Sequence, residues 1–213
     1  MAIGEDTRSR ILDAAIEMME SSGEASIRVA TIAAKLDIAE PSIYHHFTNR
    51  AALVEEAYAE WYWRCLEIQV PMATVMALVD NREEYLSAIF KSVTWSYQKD
   101  RHAARAVRIT VLGAAQRNPQ LAKTINDINR QFLASVADSM KEAQKRKWVR
   151  SDLDPMATAY WVHGQILGRV VAEMPGVEGG ELVPGAQRRR RHVCPVAPCV
   201  PRGVDQAIIG AGP

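Results

Sequence analysis

Cysteine is scarce in this chain: three residues in 213, an odd number at 65, 194 and 199. Such usage does not build a disulfide framework and fits a reducing, cytoplasmic setting. Long apolar runs are missing too. None approaches the ~20 residues needed to cross a bilayer, so no membrane partner is expected. The opening MAIGEDTRSR contains acids and lacks the apolar core of a secretory signal. Charge of one sign is also lacking, because 26 basic residues offset 25 acids to leave +1. The whole chain therefore does not advertise itself to nucleic acid. There is no strand pattern and no internal repeat. Catalytic signatures are equally absent. The chain has no Gly-rich phosphate loop, no His-Glu-x-x-His, no Gly-x-Ser-x-Gly, and no carboxylates gathered around a histidine. His102 and His163 stand alone, so neither an enzyme nor a cofactor is expected.

Metal fares no better. Adjacent helical residues such as His45 and His46 point about 100° apart, and neither has a carboxylate or cysteine four residues on. His192, Cys194 and Cys199 are separated by prolines and supply only three ligands where zinc takes four.

What remains is helical periodicity. The hydrophobic fraction is 48% and the mean hydropathy −0.15, ordinary values for a globular chain with room for one large or two small domains. The expected fold class is all-α. Residues 29–50, VATIAAKLDIAEPSIYHHFTNR, organise the rest. Val29, Ile32, Ala33 and Leu36 recur at helical spacing and predict a short helix. Asp37 interrupts it, Ile38 places an apolar residue in the turn, and Pro41 suits the first turn of a second short helix. That second helix can bury Ile43 and Phe47 while Ser42, Tyr44, His45 and His46 point elsewhere. Two short helices around such a turn form a helix-turn-helix, whose second helix can enter a DNA major groove.

The run IAAKLDIAEPSIYHHFTNRAAL resembles the DNA-binding signature of the tetracycline-repressor (TetR) family. The resemblance is carried by Ile32-Ala33, Tyr44-His45-His46-Phe47, Arg50 and Ala52-Leu53. Three positions depart from it. Asp37 stands where the family usually has Gly, Ala39 where it usually has a Ser cap, and Arg50 where Lys is commoner. Asp tolerates a left-handed turn better than most residues, whereas loss of a Ser cap costs about 1 kcal/mol.

Around this motif, Ile11, Leu12, Ala15, Ile16 and Met19 give residues 6–22 one broad apolar stripe. Asp6 or Thr7 is placed to cap that helix and Gly23 to end it. Ser26 is placed to cap the second helix. Its N-terminus, with Arg28 and Thr31, suits a phosphate. In the next helix Ser42 and Tyr44 can donate hydroxyls, His45 can meet a base edge or a phosphate, and Pro41 can contact a thymine methyl. With Arg50, these residues form the expected DNA-binding set: Arg28, Thr31, Pro41, Ser42, Tyr44, His45 and Arg50. Against it stands the local charge. Residues 1–50 carry five basic residues (Arg8, Arg10, Arg28, Lys35, Arg50) and eight acids, a formal −3. Phosphate affinity normally comes from Lys and Arg, so DNA binding must rest on a few well-placed cations.

Beyond the head, residues 1–48, the body from 49 to 175 reads as helix throughout. A long helix follows Asn49, its cap, to about Val70, where Pro71 stops it. Residues 82–100 and 101–117 read as two more helices. Tyr85, Leu86, Ile89, Phe90, Val93 and Trp95 are expected inside the first; Ala106, Ile109, Val111 and Leu112 inside the second. From Asn118-Pro119 to about Trp148, Leu121, Ile125, Ile128, Phe132, Val136 and Met140 step by three or four. The basic end of that helix, Lys141, Lys145, Arg146 and Lys147, reads as a helix cap and solvated surface. Asp154-Pro155 opens a last helix, in which Ala157, Ala159, Gly164 and Gly168 would permit close approach of another helix.

The resemblance implies that this body holds a small-molecule effector and forms a homodimer through its last two helices. Such pockets are mostly apolar, and Trp61, Met72, Met76, Trp95, Trp161 and His163 are the candidates to line one. The last 38 residues, 176–213, are of another kind. They hold seven of the twelve glycines, five of the ten prolines and the run Arg188–Arg191. They show no apolar period and are expected to be a disordered tail where the family would place its final dimerisation helix. The expected function is a transcriptional regulator, a repressor, released from a near-palindromic double-stranded operator by a small apolar effector. The alternative is a helical ligand-binding or interaction protein whose DNA head is impaired.

Overall fold

The computed structural model describes residues 3–66 and 72–174, with side chains from residue 6 in the first stretch and residue 74 in the second. The 176–213 tail and the stop at Pro71 lie outside these described residues. Among them every regular element is helical. The elements are α1 (Ile3–Ser22), α2 (Val29–Leu36), α3 (Glu40–His46), α4 (Arg50–Leu66), α5 (Met72–Leu78), α6 (Arg82–Ser96), α7 (His102–Ala115), α8 (Pro119–Lys145) and α9 (Pro155–Ala172).

They divide into two compact units. The first gathers α1 to α4 with nearly all of α7 and the first half of α8; the second gathers α5, α6, the second half of α8 and α9.

The first unit is built on the stripe of α1. Ile11, Leu12, Ala15, Ile16 and Met19 are all buried, as their spacing predicts, against Ile27, Ile32, Ile43, Phe47 and Leu53. Tyr62 of α4, Val111 and Ala115 of α7, and Leu121 and Ile125 of α8 extend the same core. Polar cross-links run along the apolar contact of α1 and α4. Arg8 pairs with Glu56, Arg64 with Asp13 at 2.7 Å, and Trp61 Nε1 donates to Glu20 at 2.9 Å. On its other side α4 meets α8 through the Tyr62 hydroxyl, which donates to Asn129 Oδ1 at 2.7 Å. Asn118 Nδ2 likewise donates to Glu55 at 3.0 Å.

The second unit has its own cluster of Met76, Val79, Tyr85 and Ala143, joined by Trp148. Arg146 lies over the Trp148 ring at 4.8 Å and pairs with Glu142. Lys141 pairs with Asp138 and Lys145 with Glu142. The basic end of α8 is thus matched by its own acids.

Several local expectations hold. Gly23 ends α1 with φ 75°, Asn49 Oδ1 accepts from the Ala52 N–H, and Asp154 caps α9 through the Ala157 N–H. Others are corrected. Helix α1 already runs from Ile3, so Asp6 and Thr7 lie inside it rather than at its cap. Ser26 sits in a 3₁₀ turn, and its hydroxyl donates to the Met18 and Gly23 carbonyls. Arg28, in extended conformation, takes the N-cap position of α2 instead.

Phe90, expected inside, is 70% exposed, and Ile109 is 42% exposed. Helix α7 buries Val111 as expected, but together with Arg105, Arg108 and Ala115 rather than with Ile109. Helix α5 has no counterpart in the sequence reading; seven residues between Pro71 and Asp80 are too few to show a period.

Candidate nucleic-acid interface

The helix-turn-helix spans α2 and α3. Asp37 closes α2 in the left-handed conformation, φ 54° and ψ 49°, and the Ile38 N–H reaches back to the Ala33 carbonyl at 3.0 Å. This is the turn a glycine would ordinarily make, and Asp supplies it here. Helix α3 then starts from Ala39, whose backbone is extended and whose side chain offers no cap. Pro41 has no N–H, so the Ser42 N–H, which now donates to the Ala39 carbonyl at 2.9 Å, is the donor a capping side chain would meet. A serine at 39 should therefore raise head stability by about 1 kcal/mol, seen as a higher urea midpoint for Ala39→Ser. An unchanged midpoint would show that the Ala39 carbonyl already satisfies that donor.

Helix α3 is oriented by Ile43 and Phe47, both buried in the first-unit core. The opposite face is left to solvent. Pro41, Ser42 and His45 are exposed, and Tyr44 is 47% exposed. These four expected DNA-binding residues share one short helix. Arg28 and Thr31 are exposed on the first turn of α2.

Arg50 differs. Its Nε donates to the Ile27 carbonyl at 2.7 Å and its Nη2 to the Glu24 carbonyl at 2.9 Å. Other head cations are engaged as well. Arg8 pairs with Glu56 and lies 5.2 Å from the centre of the Phe47 ring; Lys35 pairs with Glu17. Arg10 and Arg28 make no ion pair among the described residues. The sequence shows the number of cations but not these attachments, which join residues up to 48 positions apart.

The Tyr58 hydroxyl donates to Glu24 at 3.2 Å. Burial first, and the Glu24 carboxylate second, raise the Tyr58 pKa above its usual value. No group of three or more His, Cys, Asp or Glu able to hold a metal occurs among the described residues.

The expected effector residues fall in both units. Trp61 is buried in the first and bonded to Glu20. In the second, Met76 is buried in the core cluster and Trp95 is half-buried with Arg101 stacked on it at 4.0 Å. There too, His163 is buried and Trp161 is 40% exposed. The Met72 side chain lies outside the described residues. Among those residues no helix is long and apolar enough to cross a membrane.

An exposed helix set by a left-handed turn, on a scaffold helical throughout the described residues, defines a helix-turn-helix domain of the DNA-binding class. The profile described as "Bacterial regulatory proteins, tetR family" matches residues 11–57, the segment that carries this geometry. These residues form a DNA-binding domain of the TetR family of transcriptional regulators.

The HTH-type transcriptional regulator UidR of Escherichia coli K12 is 24% identical over 154 residues, covering 72% of this chain and 74% of its own. The fold is shared with Salmonella enterica GusR, at a TM-score of 0.60 and 24% identity over 80% of this chain and 84% of that one. It is also shared with FadR from Bacillus subtilis, solved in complex with stearoyl-CoA, at a TM-score of 0.56 and 20% identity. The FadR match covers 77% of this chain and 85% of that one.

Proposed function

We propose that this regulator is a homodimeric repressor that leaves a near-palindromic operator when a small apolar effector enters its helical body. The observation that carries the reading is the solvent-facing set Pro41, Ser42, Tyr44 and His45 on a helix whose other face is fixed by Ile43 and Phe47. In a dimer, two such helices meet successive major grooves about one DNA turn apart. Residues 1–48 read the DNA; residues 49–175 supply the effector and subunit contacts.

The outward face of α9 supports a second copy. Tyr160, Trp161 and Val171 are exposed on it, as is Met174 just past its end, and at Gly164 and Gly168 an added Cβ would meet nothing within 4 Å. Small and large apolar residues on one exposed stripe suit close helix packing between subunits. On this reading Trp161 serves the partner rather than the effector. The apolar character of the effector is supported by the body's composition and by the stearoyl-CoA complex of Bacillus subtilis FadR. An effector acts only through its preference between the bound and released states.

The test is selection of duplexes from a random pool by the full chain at modest salt, followed by binding of the selected duplex to Tyr44→Ala. A palindrome is expected. Loss of one groove contact, worth about 1–3 kcal/mol, should weaken binding by roughly 5- to 150-fold without moving the unfolding midpoint. A pool without enrichment would leave the second reading, a ligand-binding protein with an impaired head. That reading draws support from the three head cations the protein engages itself: Arg8, Lys35 and Arg50.

A further inference from the structure

Arg50 opens α4, yet its guanidinium is turned back onto the loop ahead of α2. Its two acceptors, the carbonyls of Glu24 and Ile27, bracket the 3₁₀ turn Glu24–Ser26 and its closing residue. Ile27 is itself fully buried, and the next residue, Arg28, is the N-cap of α2. The Arg28 carbonyl receives the Ile32 N–H at 3.1 Å, the bond that starts the helix. Two turns further along α4, Tyr58 holds the Glu24 carboxylate. The loop is therefore pinned at both its backbone and a side chain from a single helix. A planar fork can serve two carbonyls at once; the point charge of a lysine cannot hold both in that geometry.

We propose that Arg50 is a positioning residue for DNA recognition, fixing the start of α2 so that Arg28 and Thr31 face the phosphate backbone, and is not itself a phosphate contact. The proposal rests on the DNA-binding reading above. A cation that met a phosphate would release counterions and steepen the salt dependence by about 0.9 in the logarithmic slope. A cation spent on carbonyls contributes nothing to that slope, and its replacement acts by loosening the loop.

The full chain is titrated with a labelled mixed-sequence duplex of about 30 base pairs over a series of salt concentrations, as wild type, Arg50→Lys and Arg50→Gln. Helical circular dichroism verifies that each variant is folded, and Arg50→Lys keeps both charge and reach. Both variants should weaken binding alike, roughly tenfold, and the Ile32 amide should exchange faster with solvent in each. The proposal is overturned if Arg50→Lys binds like wild type while Arg50→Gln binds weakly with a shallower slope. It is overturned equally if neither variant differs from wild type. A wild-type chain that binds no duplex would instead bring down the DNA-binding reading itself, a result distinct from binding that Arg50→Lys leaves intact.

Discussion

Replacing Phe47 with alanine should lower the stability of the first unit by about 3–5 kcal/mol, the cost of deleting a large aromatic side chain from a packed core. Phe47 follows α3 directly, is 2% exposed, and packs with Ile43 under the stripe of α1. Arg8 covers its ring from outside, so the void would open beside a charged side chain that cannot fill it. Because α3 is only seven residues long, its own hydrogen bonds cannot hold it in place. DNA binding should be lost together with the fold of the head. Urea unfolding with and without duplex measures both effects. A variant that keeps its midpoint but no longer binds would mean that Phe47 shapes the reading face without anchoring it.

The second large effect is expected at Arg105. This side chain is 2% exposed, among the largest of the fully buried side chains, and it is engaged with other groups of the protein. Deleting a charged side chain this deeply buried removes both its packing and its polar contacts, at about 3–5 kcal/mol. Arg105→Ala should therefore shift the unfolding midpoint about as far as the Phe47 variant does. Arg105→Met, which keeps the length of the stem, should recover the packing and only part of the loss. Equal midpoints for Arg105→Ala and wild type would show that the guanidinium is dispensable where it lies.

These two positions also mark how far the sequence could be read. Phe47 was legible because it lies four residues after Ile43 in a short segment with few other ways to bury an apolar face. Asp37 was legible as a left-handed turn because only a few residue types tolerate that conformation. The start of α4 at Asn49 and of α9 at Asp154 were legible because caps are local. Helix α7 was not. In RHAARAVRITVLGAAQR, alanines occur on every side, so apolar spacing alone does not choose between the face of Ile109 and that of Arg105 and Arg108. Arginine counts as polar in any such pattern, although its stem buries readily once the head group finds partners. Phe90 shows the reverse: a large apolar residue at helical spacing reads as inside and lies outside. The solvent-facing set Pro41, Ser42, Tyr44 and His45 was legible as residue types on a short helix. The role of Arg50 was not, because its two carbonyl partners lie more than twenty residues away in sequence and belong to backbone groups that no motif records.

The rungs between α1 and α4 have a mechanical consequence. Arg8–Glu56, Asp13–Arg64 and Glu20–Trp61 are spread along both helices, and Glu24–Tyr58 adds a tie from the turn that follows α1. Sliding or pivoting one helix against the other would break several of them together. The pair therefore behaves as a single stiff beam with the DNA-reading helix fastened to it. At Glu55 and Tyr62 the beam is also gripped by Asn118 and Asn129. A displacement delivered at either grip would load these ties together before it reached the exposed face of α3.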